Sequence, residues 1–215
     1  MFNPNSILRL RLASTLAGIL SFAAWSAAES PSTHGLGKNP PVDFAVKLLP
    51  GEILGQERIF RTLIKSGTNE FIFVVPEGLR VEVRDAGSIL MASQDLGYYV
   101  SIRMLKRPPS DGRLTEALRE QIARQYPQAR NLEEYNSVVA DRAGTGFQLR
   151  QALPGGNPRL VHILWVPFRA GLFEFVLSTD SSNASAGFGA FDMIRLTFSS
   201  NEGGKLTIVP RSDKT

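Results

Sequence analysis

Leu160-Val-His-Ile-Leu-Trp-Val-Pro-Phe168, then Arg169-Ala-Gly171, then Leu172-Phe-Glu-Phe-Val-Leu-Ser-Thr179: how this stretch is read decides the fold. Both runs are dense in β-branched and aromatic residues, which suit a pleated, half-buried surface. The link between them is far shorter than the dozen or more residues a parallel crossover needs, so the pair is an antiparallel hairpin. The preceding run, Gly146 to Leu153, reaches Leu160 through Pro154-Gly-Gly-Asn-Pro158, again a hairpin length. Downstream, Phe188, Phe191, Ile194 or Arg195, and Phe198 share one side of a helix from about Ala184 to Phe198, with Ser182 or Asn183 placed to cap it.

Working outward toward the N-terminus, strand patterns dominate. Phe44, Val46 and Leu48 alternate with other residues, and Ile59 to Ile64 and Phe71 to Val75 flank the turn Ser66-Gly-Thr-Asn69. Leu79 to Arg84, Ser88 to Ser93 and Tyr98 to Leu105 follow, the last with Tyr98, Val100, Ile102 and Met104 on one face. Arg107-Pro-Pro-Ser-Asp-Gly112 breaks the pattern, after which Leu114, Leu118 and Ile122 recur every fourth residue in an amphipathic helix that Pro127 closes. A less clear stretch holds Val138 and Val139, and a short final run, Lys205 to Val209, could pair with a sheet edge. The expected fold class is α+β: a mostly antiparallel β-sheet covered by two amphipathic helices, an αβα sandwich.

Residues 1–28 read as a cleavable secretory signal, with Arg9 and Arg11 before the apolar run Leu12 to Trp25 and Ser26-Ala-Ala28 at the cleavage position. The apolar run is about 14 residues, short of a bilayer-spanning helix, so no transmembrane span is expected after cleavage near Ala28. Residues 29–41, rich in Ser, Gly and Pro, read as a flexible tether, and residues 42–215 as a single α+β domain. A secreted or periplasmic location follows from that leader.

The formal charge of +4 includes the two leader arginines, so the remainder is nearly neutral, and its arginines are scattered. Nucleic acid is therefore not an expected partner, since backbone binding needs a dense basic surface. The chain has no cysteine, which excludes disulfides, thiolate metal sites and cysteine nucleophiles.

The element order, with Phe71-Ile-Phe-Val-Val-Pro-Glu-Gly-Leu79 near its start and Phe191-Asp-Met-Ile-Arg-Leu-Thr-Phe-Ser199 at its end, resembles the PsbP-like superfamily over roughly Ile59 to Ser200. That superfamily includes the photosystem II extrinsic subunit, a Ran-binding import factor and small exported bacterial proteins. The resemblance implies a non-enzymatic binding or assembly role and transfers no functional residue to this chain.

Candidate chemistry is sparse. His34 falls in the tether, and His162 lies on a strand face with Leu164 and Val166, opposite Val161, Ile163 and Trp165. No catalytic set is read from the sequence; His162 is the residue carried forward as a candidate general base, with no Gly-x-Ser-x-Gly elbow to supply its serine. Asp85, Asp95, Asp141 and Glu174 are placed at turns or strand ends, and Glu133-Glu134 is an isolated pair, so no metal site is expected. Gly144-Thr-Gly146 and Ala186-Gly-Phe-Gly189 are read as turn chemistry, not as phosphate cradles, and no cofactor is expected. Asn183-Ala-Ser185 matches a glycosylation acceptor. The strand aromatics Tyr98, Tyr99, Trp165 and Phe168, with Phe173 and Phe175, are candidates for a binding surface, because alternation sends some outward unless a helix covers them.

The expected function is an exported non-enzymatic binding or assembly module for a protein or small-molecule ligand of unknown identity. Two alternatives remain open: a small secreted hydrolase using His162 with a serine or carboxylate, and an envelope protein that binds lipid or glycan through its strand aromatics.

Overall fold

The computed structural model describes residues 44–54, 57–84, 87–105, 114–153 and 157–203. The signal and tether, Asp85, the Arg107–Gly112 breaker and the final run from Lys205 all lie outside the described residues. The strands before the first helix are β1 (Phe44–Leu54), β2 (Glu57–Ser66), β3 (Asn69–Val75), β4 (Leu79–Arg84), β5 (Ser88–Ser93) and β6 (Tyr98–Leu105). Helix α1 (Leu114–Gln125) leads to β7 (Ala129–Val139), β8 (Arg142–Gln151), β9 (Arg159–Pro167) and β10 (Leu172–Thr179). Helix α2 (Ala184–Thr197) and the short β11 (Ser199–Glu202) complete the described fold.

The strands divide into two sheets. A four-stranded sheet has the order β1-β2-β3-β11, and a seven-stranded sheet the order β4-β5-β6-β10-β9-β8-β7, with antiparallel pairing throughout. The α+β class and the two helices agree with the sequence reading; the partition into two sheets refines it. One face of the large sheet meets α1. On the other face α2 shares the space with the small sheet, so that side is not helix alone.

Strand β10 sits in the middle of the large sheet, and its alternation explains the layering. Phe173, Phe175 and Leu177 enter a core shared with Ile64, Phe71 and Phe73 of the small sheet and Phe191, Ile194 and Phe198 around α2. Leu172 faces the other way, into a core with Leu118 and Ile122 of α1, Tyr126 just beyond it, and Val161, Ile163 and Trp165 of β9. A strand covered on both sides reads as a nearly continuous apolar run, interrupted here by His162 in β9 and Glu174 in β10.

Several local readings change. The unclear stretch at Val138 is an eleven-residue strand, β7, on the edge of the large sheet. It joins β8 through Ala140 and Asp141, both left-handed with φ of 48° and 60°, the geometry of a tight hairpin turn. Gly144 and Gly146 lie inside β8, not in a turn, and Gly187 and Gly189 lie inside α2. A Cβ on Gly187 would come within 3.1 Å of Thr179 Cβ and 3.2 Å of Leu177 Cδ1, so glycine there lets α2 settle close on β10. Asn183 occupies the α2 N-cap without a side-chain capping bond. The Asp180 carboxylate organises that entry, accepting from the Asn183 N–H and the Ser182 hydroxyl at 2.8 Å each. Glu174 is not at a strand end: it lies mid-β10, buried, paired with Arg103 and accepting from the Trp165 indole N–H at 3.0 Å.

Candidate functional site

Strand β8 runs between β7 and β9, and toward the inter-sheet core it presents glycine where its neighbours carry side chains. A Cβ on Gly144 would lie 2.7 Å from the Trp165 carbonyl oxygen and 2.8 Å from Val166 Cγ2. A Cβ on Gly146 would lie 2.6 Å from Cε2 and 2.7 Å from Cε1 of Tyr135, its register partner on β7. The Tyr135 ring therefore crosses the bare Gly146 backbone, and its hydroxyl donates to the Ile163 carbonyl on β9 at 3.4 Å. Gly146→Val should displace that ring and cost about 1–3 kcal/mol, the usual range for overpacking, measurable by urea unfolding.

Tyr135 is one wall of a cavity of about 280 Å³. Ser137 joins it from β7, His162 comes from β9, and Phe188, Asp192 and Arg195 come from α2, with the largely buried Phe191 behind them. The imidazole of His162 stands nearly perpendicular to the Phe188 ring, at 75° and 4.6 Å between centroids, and 5.8 Å from the Tyr135 ring at 45°. The Nε2 of His162 is buried and has no hydrogen-bond partner.

The charged groups at the cavity are tied to one another. Arg195 donates to Asp192 Oδ1 from Nη2 at 3.0 Å and from Nε at 3.3 Å. Its Nη1 donates to Ser137 Oγ at 3.0 Å and to the Val138 carbonyl at 3.4 Å. Burial pushes the Tyr135 phenol well above its ordinary value. Burial also lowers the His162 imidazole below 6.5, with the Asp192 carboxylate opposing in part.

A pH dependence follows from that last shift. The unfolded chain binds a proton on His162 near pH 6.5, whereas the folded chain resists it, so stability falls as pH drops below about 6.5. Asp192 and Arg195 on α2 and Tyr135 on β7 are the charged or titratable groups facing the ring. His162→Gln should flatten the part of the urea-midpoint profile between about pH 7 and pH 5 that His162 causes. An unchanged slope in the variant would show that His162 does not titrate in this way.

An imidazole, two hydroxyls and a carboxylate thus line one cavity, yet they form no nucleophile–base pair. Ser137 accepts from Arg195, Asp192 pairs with Arg195, and among the described residues no hydrogen bond links His162 to either hydroxyl or to the acid. Activating a serine requires that bond, at about 2.6–3.2 Å. Among the described residues no group of three or more His, Asp or Glu could hold a metal ion.

The aromatics singled out in the sequence lie elsewhere. Trp165 and Phe168 are 1% and 2% exposed, interior side chains on opposite faces of the large sheet. Tyr98 and Tyr99 are half-buried on β6, with the Arg159 guanidinium 5.5 Å from the Tyr99 centroid. None of these four lines the cavity. His34 is outside the described residues, and Asp95 and Asp141 sit in turns as expected. Tyr135, Ser137, Phe188 and Asp192 are not marked as site residues by the sequence; of the four, the glycines in β8 point to Tyr135 alone.

The class these features define is an α+β protein with two antiparallel sheets, one helix on one face of the larger sheet and, on its other face, a second helix beside the smaller sheet. No protein-family model matches the chain, and no curated protein matches it. Among solved structures it is similar to LpqN, involved in cell envelope biogenesis of Mycobacterium tuberculosis, at 10% identity and a TM-score of 0.41, over 77% of this chain and 100% of that one. It is also similar to cyanobacterial PsbP from Synechocystis sp. PCC 6803, at 15% identity and a TM-score of 0.44, over 69% of this chain and 96% of that one. Among the described residues no helix is long and apolar enough to cross a membrane.

Proposed function

We propose that the protein is an exported, non-enzymatic binding module that holds a small ligand between β7, β9 and α2. The observation that carries this reading is the cavity of about 280 Å³ lined by Tyr135, Ser137, His162, Phe188, Asp192 and Arg195. A compact ligand with a polar group would fill such a space and meet the hydroxyl, carboxylate and rings on its walls. The leader read in residues 1–28 supports delivery outside the cytoplasm.

The test is a small-molecule thermal-shift screen on the wild type, His162→Leu and Phe188→Ala. The expected result is a set of compounds that raise the melting temperature of the wild type and of neither variant. Compounds that stabilise all three chains equally, or none that stabilise the wild type, would overturn the reading. A second reading, a hydrolase based on His162, draws on the imidazole, hydroxyl and acid that share the cavity. It requires that His162→Ala abolish an ester or amide hydrolysis detected in the wild type.

A further inference from the structure

We infer that the ligand of this cavity is an organic cation, a small molecule carrying an alkylated ammonium group. The inference rests on the binding reading above and adds the chemistry of what is bound. The cavity has acceptors and ring faces to offer and few free donors. Arg195 donates from Nη2 and Nε to Asp192 and from Nη1 to Ser137 and Val138. An anion would find most of these donors already engaged.

Asp192, by contrast, has capacity left over. Both of its bonds to Arg195 fall on Oδ1, and among the described residues Oδ2 has no partner, while the side chain is 55% exposed at the cavity. The rings of Tyr135, Phe188 and His162 come from three different elements and stand at different angles. Rings gathered around a cavity, with an unpartnered carboxylate oxygen at its edge, provide the negative quadrupoles and the acceptor that hold ammonium groups.

Size points the same way. A cavity of about 280 Å³ lies just below the usual range for drug-sized ligands, so it suits a head group of few atoms. An uncharged hydrocarbon of that size would fill the space and leave Asp192 Oδ2 unmet.

The experiment is calorimetric titration of the full chain with choline chloride and with its uncharged isostere, in which a tert-butyl group replaces the trimethylammonium head. Choline is expected to bind at least about tenfold more tightly, the factor that a cation on a partly desolvated aromatic face supplies. Phe188→Leu should weaken choline about fivefold or more and leave the isostere within about twofold, while Phe188→Trp should retain or improve choline binding. Asp192→Asn should also weaken choline alone. Phosphatidylcholine vesicles that displace bound choline would assign the ammonium to a lipid head group; vesicles without effect would assign it to a free solute. Equal or tighter binding of the isostere overturns the cation and leaves the cavity as a binding site for neutral ligands. If neither compound binds, the cation falls, and the thermal-shift screen separately decides whether the cavity binds anything. Circular dichroism of each variant confirms that the fold survives.

Discussion

Arg103→Met should destabilise the protein by about 3–5 kcal/mol, the cost of leaving a buried carboxylate without its counter-charge. Glu174 is 5% exposed and Arg103 23%, and the two are direct register partners across β6 and β10. On the other side of Glu174, across β9, its register partner is Trp165, which gives the carboxylate its indole N–H at 3.0 Å. The three side chains form a polar line across the middle of an otherwise apolar face, and Arg103 is the member that makes the charge tolerable. Adding Glu174→Gln to Arg103→Met should recover most of the loss, since the amide needs no counter-ion and still accepts from the indole. Urea unfolding of the two single variants and the double variant measures this. A loss under about 1 kcal/mol for Arg103→Met would show that solvent compensates Glu174.

Phe198→Ala should cost a similar amount, about 3–5 kcal/mol, through the cavity it opens. The ring is 3% exposed and sits among five others. Phe71 and Phe73 approach it from the small sheet at 5.9 and 6.0 Å, and Phe173 and Phe175 from the large sheet at 5.4 and 5.1 Å. Its backbone is where α2 ends, with φ −67° and ψ 122°, and where the chain turns into β11. One side chain therefore ties the helix and both sheets together. Phe198→Leu should restore roughly half the loss by refilling part of the volume. Equilibrium unfolding followed by far-ultraviolet circular dichroism tests both; a Phe198→Ala midpoint equal to that of the wild type would show that the rings around it close the gap.

The parts of the fold legible in the sequence are those where one local rule suffices. The β9–β10 hairpin is marked by two apolar runs and a short link, and α1 by Leu114, Leu118 and Ile122 followed by Pro127. Strand β7 was not legible, for a specific reason. Its edge position leaves Arg130, Glu133 and Glu134 in solvent, so no alternation shows, and its turn uses Ala140 and Asp141 where asparagine and glycine would have announced it. Nor does sequence spacing reveal that β3 pairs with β11 and that a second sheet results, because that contact joins segments more than a hundred residues apart.

The site was half legible. His162 was placed on the correct strand face, with Leu164 and Val166 turned toward the inter-sheet core. What surrounds it depends on tertiary placement: α2 brings Phe188 and Asp192, and the unread β7 brings Tyr135 and Ser137. The glycines of β8 were seen and given the wrong cause, since a glycine in a turn and a glycine beneath a crossing tyrosine look alike until the strand register is known.

The outer strands carry one more consequence. In β1, Pro50 and Gly51 together face the single residue Phe60, and in β7, Asn131 and Leu132 together face Leu149, with Asn131 left-handed at 54°. The remaining outer strands are β11, only four residues long, and β4, where Arg80, Glu82 and Arg84 alternate with apolar residues. Among the described residues, no border of either sheet offers a long, straight, uncharged row of free amides for a foreign strand to join. Concentrated solutions of this protein should accordingly stay clear of fibrils, with growth blocked at the backbone itself.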